Sequence, residues 1–485
     1  MSDPLKNIPI KVVPATASPD DDAPNELEQV SLYEAHKKVY PRSVKGIFNN
    51  WRVLFVLATQ LVYLGTPWLD WNGRQAVLFD LVNRKFFLFG LTIWPQDFVY
   101  LAALLMCCAF GLFTWTTIAG RLWCGYSCPQ TVYTEIMLWI EQWVEGDHTK
   151  RMKLDKAPMN AHKLRIKTTK HSLMIAFSLF TGFSLVGYFT PIRELATALP
   201  RFDYGPWELF WMFFYGGFTY LFAGFMREQV CKYMCPYARF QAVMFDSDTL
   251  IISYDEERGE PRGARRKGVN PREEGKGDCI NCHICVQVCP VGIDIRQGLQ
   301  YECIGCAACV DACDSVMDKM GYPRGLIRYT TENALNKVYP ESQILSRLRR
   351  PRVVLYGLLL LAVISVTTGS LLMRKPFKVD IIRDRAALVR ETNEGWLENS
   401  YSIKLYNTSE QTQRFRFSVK GLPGIKLTTD TPVVSIPGTG SETVAVRVQA
   451  DPQYATQGSH EIHFVIESLD KPGQVDEEKS SFIGE

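Results

Sequence analysis

Five stretches of the chain are apolar over about the 20 residues that a bilayer core demands; they fall near residues 51–69, 97–119, 172–190, 207–226 and 353–373. Basic residues flank them unevenly. Lys37, Lys38, Arg42 and Lys45 precede the first, Lys150, Arg151, Lys153, Lys163, Arg165, Lys167 and Lys170 lie between the second and the third, and Arg347, Arg349, Arg350 and Arg352 precede the fifth. Segments 70–96 and 191–206 carry fewer, so the positive-inside bias predicts an inner N-terminus, an inner 227–352 and an outer 374–485. Residues 121–146 complicate the count. Their apolar stretch Ile136–Ile140 is interrupted by Glu135, Glu141 and Glu145, a pattern predicting an amphipathic helix in the interface and no sixth crossing. After residue 376 the period changes to two (Ser402–Leu405, Arg414–Val419, Val444–Val448, Glu461–Ile466), with Gly, Pro, Asn and Asp between the runs.

Those patterns divide the 485 residues into five units. They are a cytoplasmic N-terminal tail (1–45, its first 30 residues expected to be disordered), a four-span membrane domain (46–249), a cytoplasmic module (250–350), a fifth transmembrane helix (351–375) and a periplasmic domain (376–485). The expected fold class is a polytopic α-helical membrane domain of about five spans, an inserted α+β module, and a C-terminal all-β immunoglobulin-like sandwich.

Spans two and four both run inward, and each ends in the same motif. One delivers Cys124-Gly-Tyr126-Ser-Cys128-Pro129, the other Cys231-Lys-Tyr233-Met-Cys235-Pro236. Two hairpins of one orientation, related by an axis along the membrane normal, would bring the four cysteines together. Pro129 and Pro236 suit the first turn of a following helix. A thiol at such a helix start is expected to have a lowered pKa and to ligate better.

Eight more of the 14 cysteines lie between Cys279 and Cys313, in two runs of CxxCxxCxxxC. That is the spacing of bacterial two-cluster ferredoxins, in which the fourth cysteine of each run reaches the other cluster. Cys279, Cys282, Cys285 and Cys313 are therefore assigned to one [4Fe–4S] cluster, and Cys303, Cys306, Cys309 and Cys289 to a second. Zinc knuckles pair two CxxC units and have no use for a third cysteine two residues on. Pro290 follows the first run but Asp314 follows the second, a change of backbone that leaves the ligands intact. His283, between two ligands, reads as a supporting side chain. His460 and His463 would fall on opposite faces of a strand.

Charge and composition narrow the classes further. The net charge of +3 comes from basic residues grouped beside apolar runs, which topology explains and nucleic-acid binding does not. No cysteine follows Cys313, so the thiols stay on the reducing side and serve metal ligation, not stapling. Only His171 of seven histidines borders a span, which leaves no facing pair of haem ligands in the membrane.

Several longer blocks carry a family resemblance: Val39-Tyr-Pro-Arg-Ser-Val-Lys-Gly46, Trp71-Asn-Gly-Arg-Gln75, Trp94-Pro-Gln-Asp97, Gly120 to Gln130 around the first motif, Glu228 to Gln241 around the second, and Asp255 to Gly263. With the cluster runs and the β-rich tail, they make the chain resemble the cytochrome c oxidase accessory family CcoG, also called FixG or RdxA. The resemblance implies a bacterial inner-membrane protein that reduces Cu(II) to Cu(I) for assembly of the cbb-type oxidase. It also implies a cytosolic electron donor, and copper chaperones or oxidase assembly factors as partners. Under that reading Cys124, Cys128, Cys231 and Cys235 form the copper site. Two other functions fit the same residues: a quinol-linked electron donor to a respiratory enzyme, as in the relatives NapH and NosR, and a non-enzymatic assembly scaffold.

Overall fold

A computed structural model describes residues 38–267, 270–384 and 389–484; the tail expected to be disordered over residues 1–30 lies outside them. Helix α1 (Ile47–Gly65) leads into two small antiparallel sheets, β1–β2 (Asp70–Trp71, Arg74–Gln75) and β3–β5 (Val77–Asp80, Lys85–Leu88, Leu91–Ile93). Helices α2 (Phe98–Ala119), α3 (Leu122–Tyr126), α4 (Pro129–Glu145), α5 (His148–Lys156), α6 (Ala161–Val186), α7 (Ile192–Ala198) and α8 (Pro206–Thr219) follow. The chain then widens into π-wound turns at Tyr220–Met226 and Val230–Met234 before α9 (Pro236–Met244).

Four helical segments among the described residues are long and apolar enough to cross a membrane: Ile47–Trp68, Pro95–Ala119, Pro206–Met226 and Pro351–Leu372. The remaining apolar stretch, expected as a span over 172–190, is built differently. It forms the second half of α6, a 26-residue helix that opens with Lys163, Arg165, Lys167 and Lys170 and ends at Val186. Sequence alone puts those lysines in water at the flank of a span. Lys163 and Lys170 are instead buried, Lys163 donating to the Asp155 and Ala157 carbonyls and Lys170 meeting the glutamates of α4. Lys170 Nζ lies 3.0 Å from Glu145 Oε1, and Lys167 Nζ lies 2.7 Å from the same oxygen. Antiparallel packing of α6 on α8 relies on glycine, since a Cβ on Gly182 would stand 2.3 Å from the Met212 carbonyl oxygen.

In 121–146, which is not among those four segments, the glutamates are likewise paired within the protein. Glu141 is buried between Arg151 (3.0 Å), Arg227 (2.5 Å) and Lys170 (3.4 Å), and Glu135 pairs with Arg52 at 3.3 Å. Burial opposes the Glu141 charge, but Arg227, then Lys170 and Arg151, outweigh it and hold the carboxyl down to about 2.

The inserted module holds β6 (Ile251–Tyr254), α10 (Glu256–Gly259), α11 (Ile284–Gln287), α12 (Ala308–Met320), β7 (Ile327–Thr330) and α13 (Glu332–Leu335). Strands β6 and β7 pair antiparallel, with Ile252 opposite Tyr329. The module is clamped to the first span. Gly46 gives α1 no side-chain cap, and the Asp311 carboxylate of α12 accepts the amides of Phe48 (3.3 Å) and Asn49 (2.7 Å) in its place.

Helix α14 (Pro351–Leu372) runs antiparallel to α2, with Tyr100 and Ser370 hydroxyls 3.0 Å apart at one end and Arg350 donating to the Thr117 carbonyl at the other. It leads into two facing sheets, one ordered β12-β14-β10-β8 with β9 beside β10, the other β13-β11-β15-β16. Their strands are β8 (Phe377–Arg383), β9 (Arg390–Glu391), β10 (Leu397–Asn407), β11 (Gln413–Lys420), β12 (Lys426–Thr428), β13 (Val433–Ile436), β14 (Ser441–Ala450), β15 (Gly458–Ser468) and β16 (Val475–Gly484). All four alternating runs of the sequence fall in these strands, and Phe377, Tyr401, Phe415, Phe464 and Phe482 fill the space between the sheets. His460 and His463 do not converge: the first bonds the Thr456 carbonyl and the second pairs with Glu461. The buried Asp97 at the head of α2 pairs with Arg374 (2.5 Å) and Lys378, joining the sandwich to the membrane helices.

Candidate functional site

The two cysteine runs fold alike. Asn281 and Gly305 occupy the same place in their runs, as do His283 and Ala307, and all four backbones are left-handed (φ 55°, 69°, 57° and 57°). Repeated left-handed residues turn successive amides to one side, the concavity that receives anions and iron–sulfur groups. Two chambers result. One is lined by Cys279, Cys282, Cys285 and Cys313, with Tyr254, Arg296 and His283. The other is lined by Cys289, Cys303, Cys306 and Cys309, with Cys285 on the shared wall.

Each chamber thus mixes three cysteines of one run with the fourth of the other. Among the described residues no three His, Cys, Asp or Glu stand in the geometry of a single-ion site. The cysteines surround spaces instead, and the remaining lining is mostly apolar, a donor set that fits a polynuclear iron–sulfur group. Burial pushes Cys285 and Cys289 up to about 11, and Cys303 and Cys313 up to about 12. A bound metal is what would convert such thiols to thiolates. His283 lines the first chamber without standing among the four cysteines, its Nδ1 lying 2.9 Å from Arg296. Asp314 accepts the Gly325 amide at 2.9 Å, so its carboxylate holds the loop before β7 where the other run has Pro290.

The structure also brings the two CxxxC motifs near one another, although the four thiols do not converge in the geometry of a single-ion site. Cys128 and Cys235 are the N-cap residues of α4 and α9, each followed by proline at the first helical position. Two glutamines cross-tie the motifs. Gln130 donates to the carbonyls of Phe222 (2.9 Å) and Arg227 (3.1 Å), while Gln241 accepts from Cys124 Sγ at 3.4 Å. The expected lowering of the Cys128 pKa at a helix start is overturned. Burial, followed by the neighbouring Cys124, pushes it up to about 11 despite the α4 amides, and burial with Cys128 beside it pushes Cys231 up to about 12.

Nothing in the spacing pointed to the contact between the thiol quartet and the second chamber. Gly125 lies against the loop of the second run, so that a Cβ there would stand 2.8 Å from Cys306 Cα and 2.9 Å from its amide nitrogen. Cys124 packs in one core with Cys306, Cys303 and Cys309. Cys231 lines a further small cavity together with Pro290 and Cys306. Arg121, ahead of the first motif, donates to the Tyr301 carbonyl at 2.5 Å.

The family model for a 4Fe–4S dicluster domain matches residues 226–332, and one for a 4Fe–4S binding domain matches residues 101–146. With the paired chambers, they define an iron–sulfur electron-transfer protein carrying several apolar helices of membrane-spanning length. A third model, the IG-like fold at the C-terminal of FixG, matches residues 367–485. The nitrogen fixation protein FixG of Rhizobium meliloti is 38% identical over 423 residues, 81% of each chain. Protein RdxA of Cereibacter sphaeroides is 39% identical over 81% of this chain and 85% of its own. The chain belongs to the FixG/RdxA family. A solved FixG-related protein from Vibrio parahaemolyticus aligns over 23% of this chain and 99% of its own at 24% identity, with a TM-score of 0.21, a likeness too weak to define a fold.

Proposed function

We propose that this protein reduces Cu(II) to Cu(I) at the thiol quartet Cys124, Cys128, Cys231 and Cys235, in the service of cbb-type oxidase assembly. The observation that carries the reading is the seat of Gly125 on the Cys306 loop, which sets the quartet against the wall of the second chamber. Two [4Fe–4S] clusters, held by Cys279, Cys282, Cys285 and Cys313 and by Cys289, Cys303, Cys306 and Cys309, would supply one-electron chemistry when bound. The quartet does the rest. Soft thiolates favour Cu(I) over Cu(II), so binding there biases the copper couple toward the reduced ion, one electron per copper. Arg121 lies near enough to Cys124 and Cys231 to ease their ionisation against burial. Glutamine cross-ties hold the two motifs at a fixed spacing while the metal enters and leaves.

In this reading the membrane is the bacterial inner membrane, with the module in the cytoplasm and the sandwich in the periplasm. Reporter fusions near residues 300 and 400 read those sides directly. Copper chaperones or oxidase assembly factors are the partners, and the sandwich is the surface that meets them.

The double variant Cys231→Ser, Cys235→Ser tests the site. It is expected to retain the wild-type iron content, about eight per chain for two four-iron clusters, while losing Cu(II) reduction. Full iron with full turnover sinks the copper reading and leaves the motifs as structural corners.

A further inference from the structure

A second feature beside the Cys306 loop has no part in the copper reading. Where the module docks on the ends of α1 and α2, a cavity of about 420 Å³ opens, lined by Trp51, Trp115, Trp123, Tyr126 and Tyr329 among others. That size falls within the ~300–1,000 Å³ of small-molecule sites. The lining includes no charged side chain, which excludes phosphorylated cofactors such as nucleotides and flavin phosphates. Its polar groups are hydroxyls. Tyr329 donates to the Gly305 carbonyl at 2.6 Å, inside the second cysteine run, and the Tyr126 hydroxyl lies 3.4 Å from that of Tyr329.

The mouth of the cavity matters as much as its floor. Trp51 and Trp115 are 52% and 46% exposed, on helical segments of membrane-spanning length, so the rim between α1 and α2 opens toward the space a bilayer would fill. An occupant must then be flat and aromatic enough to lie among indoles, must accept hydrogen bonds from phenols, and must trail an apolar tail. We propose that this cavity binds the ring of a membrane quinone, with Tyr126 turning its proton from the long contact with Tyr329 to a ring carbonyl and the isoprenoid tail leaving between α1 and α2.

The proposal rests on the electron-transfer reading and supplies its electron source from within the membrane, in place of the cytosolic donor expected from sequence. The chemistry balances. A quinol oxidised there would release two electrons and two protons; the two clusters that the cysteine chambers would hold could take one electron each, and the protons would leave to water.

Tryptophan fluorescence of the anaerobically purified full chain, titrated with decylubiquinone, tests the site. Saturable quenching is expected. Both Tyr126→Phe, which keeps the ring and loses the donor, and Leu250→Phe, which fills the cavity from its wall, are expected to weaken binding about tenfold, the worth of one good hydrogen bond or of lost room. Iron content on the same samples separates a blocked cavity from a misfolded module. Quenching that never saturates, that decane displaces, or that both iron-replete variants leave unchanged overturns the proposal and makes the cavity a berth for lipid tails. Copper reduction by dithionite-reduced wild type is read alongside. If it persists without quinone binding, the quinone site fails and the copper reading stands; quinone binding without copper reduction keeps the quinone site and removes the copper reading.

Discussion

Replacing Gly125 with alanine drives a methyl group into the backbone of the second cysteine run. The new carbon would stand 2.8 Å from Cys306 Cα and 2.9 Å from the Gly305 carbonyl carbon, where carbon atoms normally rest at about 3.5–4.0 Å. Neither neighbour is a side chain that can swing away, so α3 and the loop must part by roughly 1 Å. Such overpacking costs about 1–3 kcal/mol, against a gain of about 0.5–1 kcal/mol from alanine's better helix propensity. The net loss then lies within about 0–2.5 kcal/mol, centred near 1 kcal/mol. The Gly111→Ala variant is the matched control, because a Cβ there meets nothing within 4 Å. Thermal unfolding of both variants, with iron content and Cu(II) turnover on the same preparations, measures the effect. Gly125→Ala is expected to keep its iron, melt several degrees lower and turn over copper severalfold more slowly. Equal melting and equal turnover in the two variants would refute the claim that this contact couples the thiol quartet to the second chamber.

Two further outcomes follow from the same geometry. Cys313→Ser is expected to disturb the spectrum of the cluster held by Cys279, Cys282 and Cys285, and Cys289→Ser that of the other; electron paramagnetic resonance of each variant reads this, and damage confined to the run that carries the substitution refutes the crossed assignment. Glu141 ionises at about 2 in the fold against an ordinary 4.5, so its contribution is complete above pH 4.5 and is lost as the pH falls toward 2. The Glu141→Gln variant is expected to be about 3 kcal/mol less stable at neutral pH, the cost of leaving buried Arg227 and Arg151 without their carboxylate, and to show a flatter fall in melting temperature over that acid window.

The cysteine chambers were legible because their information is local: three ligands recur at every third position of a short run, and the fourth follows a fixed step beyond. The sandwich was legible for a similar reason, since a two-residue period survives whatever the strand pairs with. Charge was misread where its partner is remote in sequence. Lys163 to Lys170 look like a wet flank and Glu141 looks like the polar side of an interfacial helix; only their meeting, 29 residues apart for Lys170 and Glu141 and 86 for Arg227 and Glu141, turns both inward. The Cys128 thiol illustrates a competition that spacing cannot weigh, with the amides of a helix start on one side and burial on the other. The aromatic cavity had no signal at all, because its walls come from α1, α2, α3 and β7, and single tryptophans near span ends look like ordinary interface anchors.

Asp311 completes a helix made 263 residues earlier. A ribosome releases α1 into the membrane well before it has polymerised that carboxylate, so the amides of Phe48 and Asn49 must stay hydrated throughout insertion. They are sealed only once α12 has folded and turned Asp311 toward them. The same short helix carries Cys309 and Cys313, so a module that fails to mature leaves the oldest part of the chain unfinished, its first span open at one end. Biogenesis therefore closes as a loop, with a later-made soluble module locking the first-made span, and the exposure of those two amides to hydrogen exchange dates the moment of closure.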